Sequence, residues 1–77
     1  MTNLEIIEKA VREVIGYQEK HFRTSTTWDE AYRNVEDWYN HTDIRSPYLL
    51  SACVLAYGKY KPVTASEIMD ASRAFEN

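Results

Sequence analysis

Apolar residues recur every three or four positions across most of this chain, and no stretch alternates with the period of a half-buried strand. In the first stretch Leu4, Ile7, Val11, Val14, Ile15 and Phe22 fall on one stripe, and Ile6, Ala10 and Tyr17 widen it on one side. At 100° per residue this predicts a helix from about Asn3 to Phe22 whose apolar arc covers roughly half its circumference, wider than one packing partner needs. The shoulder of Ile6, Ala10 and Tyr17 is therefore expected either to be covered within the domain or to meet a second copy as an oligomer face. Gly16 weakens the middle of this helix by about 1 kcal/mol relative to Ala and is expected to permit a close helix contact or a bend.

A second helix is predicted from Trp28 to Asn40. Trp28, Ala31, Tyr32, Val35, Trp38 and Tyr39 occupy an arc of roughly 120° centred on Val35, with no polar residue inside it. Asp29, Glu30, Arg33, Asn34, Glu36, Asp37 and Asn40 fill the other face. The aromatic side is expected to be core, because each ring can bury roughly 150–250 Å² that a short chain needs. The third helix, Pro47 to Tyr57, contains "YLLSACVLAY" and is apolar nearly all round, so it is expected to be the buried central element. A fourth, from about Ala65 to Phe75, places Ala65, Ile68, Met69, Ala71 and Phe75 on one side. Ile44 stands alone in the loop "NHTDIRS" and is expected to plug the space under the third helix.

The helix starts carry their own signals. "TNLE", "TWDE" and "TASE" each match Thr-x-x-Glu, in which the threonine oxygen takes a backbone N–H and the glutamate reaches back. Ser46 before Pro47 makes a fourth start, and Gly58 is a natural stop. The fold class expected is all-α, a single compact domain spanning residues 1–77, with four short helices packed around the apolar third one.

Composition narrows the class further. The chain has 77 residues, 44% of them apolar, enough for a folded domain with a net stability of roughly 3–5 kcal/mol. Cys53 is the lone cysteine, which excludes an internal disulfide and suits a reducing, cytoplasmic setting. The longest apolar run, "ACVLAY", is far too short to cross a membrane, and the N-terminus lacks the basic head and apolar core of a secretory signal. Met1 directly ahead of a helix start is the pattern expected of a complete product. Net charge is −3 and unevenly spread: residues 24–43 carry Arg33 against five acids, whereas residues 44–61 carry Arg45, Lys59 and Lys61 with no acid.

Enzyme chemistry finds no support in this pattern. There is no G-x-S-x-G, no C-x-x-C and no glycine-rich phosphate loop, and no cofactor is expected. His21 and His41 fall at the C-terminal ends of their helices, at opposite poles, where a cation suits the helix dipole. Asp37 and His41 share a helix face at i,i+4 with Asp43 following, but a stable metal site needs three or four converging ligands, so none is expected. The segment "LLSACVLAYGKYKPVTASEIMDA" resembles the first two helices of helix-turn-helix and winged-helix regulators, over roughly a third of the chain. That resemblance implies a small nucleic-acid-binding regulator using the basic turn at residues 58–62, with Arg45, Lys59 and Lys61 as contacts; the acidic balance of the chain opposes it, since phosphate contacts need clustered bases.

The expectation that remains is protein binding. The acidic outer face of the second helix, Asp29, Glu30, Glu36 and Asp37 with Arg33 among them, would dock on a basic partner surface, including one that normally holds nucleic acid. Arg33 lies i+4 from Asp29 and i−4 from Asp37 and is placed to pair with either. Small acidic size without catalytic chemistry suits a stoichiometric inhibitor or adaptor of the kind encoded by phages and mobile elements, active as a monomer or a homodimer. A merely solvated acidic face is the alternative.

Overall fold

The computed structural model describes residues 2–22 and 26–74. It contains helices α1 (Asn3–His21), α2 (Trp28–His41), α3 (Pro47–Tyr57) and α4 (Ala65–Ala74), and no strand among the described residues. The all-α, four-helix architecture matches the hydrophobic pattern. Phe75, expected at the end of α4, lies outside the described residues.

Each helix begins where its capping chemistry stands. At α1 the capping box is complete: Glu5 N donates to Thr2 Oγ1 (3.2 Å) and Thr2 N donates to Glu5 Oε1 (3.0 Å). Those bonds to the ionised carboxylate hold the Glu5 carboxyl below its ordinary range. At α4 the same pair of bonds joins Thr64 and Glu67. At α2 only half the box forms, with Glu30 N donating to Thr27 Oγ1 at 3.2 Å. α3 starts with Leu49 N on Ser46 Oγ, 3.3 Å, and Pro47 in the first turn. It stops at Gly58, whose φ of 76° is open to glycine and strained for other residues.

α1 packs against both α2 and α3, α2 against α3, and α4 against α3 alone among the described residues. The double partnership of α1 explains its broad apolar arc. Ile7, Val11 and Val14 are buried as the stripe predicts, and Ile6 and Ala10 are buried beside them, at 7% and 0% exposure. Of the two fates open to that shoulder, cover within the domain is the one realised for Ile6 and Ala10, so they offer no oligomer face. Tyr17 is half-buried, its ring 4.3 Å from that of His21 and 5.7 Å from that of Phe22. The ends of the stripe overhang the packed region, and Leu4 and Phe22 are exposed. Gln18 turns inward at the far end, and its Oε1 is buried without a hydrogen-bond partner, at a cost of about 1–3 kcal/mol.

α2 buries Ala31, Val35, Trp38 and Tyr39, with Tyr32 half-buried. Trp28 departs from the expectation and is 41% exposed. Helical side chains lean toward the N-terminus, so a residue in the first position reaches past the end of the helix rather than across to its neighbours. Trp38 is fully enclosed, and its Nε1 donates to Gly58 O at 2.7 Å. α3 buries Leu50, Ser51, Ala52, Cys53 and Val54 in succession, and the Ser51 hydroxyl is satisfied by donating to Tyr48 O at 2.7 Å. It is not enclosed along its whole length, since Tyr48 and Ala56 face solvent. Ile44 packs half-buried against the core, as expected of a plug.

Gly16 makes no close helix contact: a methyl group built there meets nothing within 4 Å. Gly16→Ala should therefore raise stability by about 0.5–1 kcal/mol through lost freedom of the unfolded chain. Gly58→Ala should lower it by about 1–3 kcal/mol, because the left-handed backbone is strained for alanine. Opposite shifts of the midpoint in urea unfolding, at unchanged slope, would bear this out, whereas shifts of the same sign would contradict it.

Candidate functional site

The outer face of α2 is held rigidly because its inner face is locked into the core. Asp29, Glu30 and Arg33 are exposed, and Asn34, Glu36 and Asp37 are half-exposed. The expected pairing of Arg33 with Asp29 or Asp37 does not form; the ion pairs within 4.0 Å among the described residues are Glu8–Arg12 and Asp70–Arg73. The four carboxylates of α2 therefore present their charge to solvent without a cation clamped on any of them.

Lys59 comes to the edge of this face. It lines a shallow cleft with Glu30, Arg33 and Asn34, although 29 positions separate it from Glu30 along the chain. The Trp38–Gly58 bond brings this about, by fixing the end of α3 against α2. Sequence spacing grouped Lys59 with Arg45 and Lys61 as nucleic-acid contacts, but the three cations take different places. One guanidinium nitrogen of Arg45 donates to the carbonyls of Tyr39 (3.2 Å), Thr42 (3.0 Å) and Ile44 (2.7 Å), and the group lies 4.0 Å from the centre of the Tyr39 ring. Arg45 thus satisfies carbonyls at the end of α2, where positive charge is favoured by the helix dipole. Lys61 Nζ stands 5.1 Å from the centre of the Tyr57 ring, a weak cation–π contact.

An aromatic group that the sequence reading did not single out gathers beside the end of α2. The rings of Trp38 and Tyr60 meet edge to face at 5.4 Å, and His41 stacks on Tyr60 at 4.5 Å. His41 Nδ1 lies 2.7 Å from Asp37 O and, since a carbonyl only accepts, donates to it. Local spacing could not group its members, because they come from α2 and from the turn after α3. Both histidines sit at helix C-terminal ends, as expected. No group of three or more His, Cys, Asp or Glu residues able to hold a metal occurs among the described residues. Among the described residues no helix is long and apolar enough to cross a membrane.

No family model, curated protein or solved structure matches this chain. Its chemistry is read from its own surface. A second groove runs along α1 between Arg12, Glu13, Gly16, Tyr17, Lys20 and His21, and its charges are mixed.

Cys53 is fully buried, and burial pushes its thiol up to about 11. The folded value lies above the ordinary one, so this contribution to stability is complete below about pH 8.5 and is lost as pH rises toward 11. The neutral, enclosed thiol should resist a water-soluble thiol reagent at pH 8 in the folded chain and react at once in denaturant. Prompt labelling without denaturant would contradict this placement.

Proposed function

We propose that this chain is a protein-binding module whose acidic α2 face docks on a basic surface of another protein. The observation that carries this reading is the pairing of a locked inner face with an unpaired outer one. Ala31, Val35, Trp38 and Tyr39 hold the helix in place, so Asp29, Glu30, Glu36 and Asp37 project from a fixed backbone. A fixed backbone loses little entropy on association, and the field of the carboxylates steers a positive partner toward it. Arg33 and Lys59, beside Glu30 at one edge, break the uniform charge and would set the register of docking.

The role proposed is stoichiometric: an inhibitor that covers a basic surface, including one that normally holds nucleic acid, or an adaptor, of the kind mobile elements encode, acting in the cytoplasm without catalysis. The engagement of Arg45 with backbone carbonyls and the place of Lys59 beside Glu30 weigh against direct nucleic-acid binding, because phosphate contacts need bases free to converge.

The test is affinity capture with the immobilised chain and two charge-reversed variants of equal net charge. Glu36→Lys with Asp37→Lys should weaken capture of a salt-sensitive partner by at least ~10-fold. Glu13→Lys with Glu19→Lys, on α1, should leave it near the unaltered level. Equal losses in both variants would reduce the effect to net charge. Retention on DNA at low salt that Lys59→Ala with Lys61→Ala abolishes would favour the nucleic-acid regulator instead.

A further inference from the structure

We infer that the cleft holding Arg33 and Lys59 receives a carboxylate side chain, so that the surface α2 accepts is a basic one with an acidic residue set in it. This rests on the docking role proposed for α2 and names what the partner must carry. Glu30, Arg33 and Asn34 stand at i, i+3 and i+4 on one side of α2, and Lys59 joins them to line a cleft of about 330 Å³. That size is at the lower end for ligand clefts and suits a side chain better than a large ligand.

The backbone beneath both cations is anchored. Val35 and Trp38 seat α2 in the core, and Gly58, next to Lys59, accepts Trp38 Nε1 at 2.7 Å. Neither Arg33 nor Lys59 makes a hydrogen bond or ion pair among the described residues. Two cations against Glu30 leave the cleft one unit positive at the edge of an otherwise acidic face. A uniformly basic partner would set like charge against it, which is repulsive. A carboxylate instead meets the guanidinium fork of Arg33 with two parallel bonds, the ammonium of Lys59 as a point charge and the amide of Asn34 as a further donor. A phosphate fits the same fork, but Glu30 and its acidic neighbours on α2 repel the second charge it carries.

The probes are three helical lysine–alanine peptides, alike except for a central glutamine, glutamate or phosphoserine, titrated calorimetrically at low salt. The glutamate peptide should bind the unaltered chain at least ~3-fold more tightly than the glutamine peptide, although it carries less positive charge. In Arg33→Gln with Lys59→Gln the order should reverse, because the face is then acidic throughout. A glutamine peptide that binds the unaltered chain as tightly as the glutamate one overturns the inference and leaves the docking role standing. A preference for glutamate that survives in the variant overturns it as well, and tightest binding by phosphoserine overturns the assignment to a carboxylate. Peptides that do not bind, or whose binding Glu36→Lys with Asp37→Lys leaves unweakened, remove the docking role and this inference with it.

Discussion

The hydrogen bond from Trp38 to the carbonyl of Gly58 organises this molecule. The indole is fully enclosed, and a buried N–H without a partner would cost about 1–3 kcal/mol, so the acceptor must stand where Trp38 points. Gly58 supplies it because its positive φ turns the chain out of α3 at that point. The end of α3 is thereby fixed against the C-terminal part of α2. Tyr60 then reaches the Trp38 ring edge and the face of His41, and Lys59 reaches the acidic side of α2. One polar contact inside an apolar core thus decides which charges share a surface.

Packing divides the chain into a mutually supporting trio and an annex. α1 contributes two adjacent faces, one for each neighbour, and α3 buries five consecutive residues because helices lie on more than one side of it. Among the described residues, α4 rests on α3 with Ala71 buried and with hydroxyl-to-carbonyl bonds from Tyr57 and Tyr48. Burial and the carboxylates of Glu67 and Asp70 push the Tyr57 phenol up, which keeps that hydroxyl protonated as a donor to α4. Local stability should follow this division, since opening costs scale with the apolar contacts broken.

The surface charge follows from the same geometry. Arg45 is spent on carbonyls at the end of α2, and Arg33 clamps none of its acidic neighbours. The acidic face keeps its field, and the cations of the basic segment that follows it each engage a different neighbour. For a module proposed to act by electrostatic docking, these two outcomes matter more than the net charge of −3.

What the sequence determined by itself was local. Thr2, Thr27, Ser46 and Thr64 marked the helix starts and Gly58 marked a stop, because caps and turns are settled within a few residues. The inner face of α2 was legible from Val35, Trp38 and Tyr39, since a helix projects its side chains with a fixed period. The acidic outer face was legible for the same reason. Only the tertiary structure decided the rest. A wide apolar arc does not say whether a second neighbour comes from the same chain, so the fate of Ile6 and Ala10 depended on α1 meeting both α2 and α3. Periodicity ignores where a helix ends relative to its partners, which is why Trp28 lies half in solvent. The union of Lys59 with Glu30 depended on a contact spanning 20 residues, and such a contact leaves no trace in local spacing because it is set by how whole helices pack.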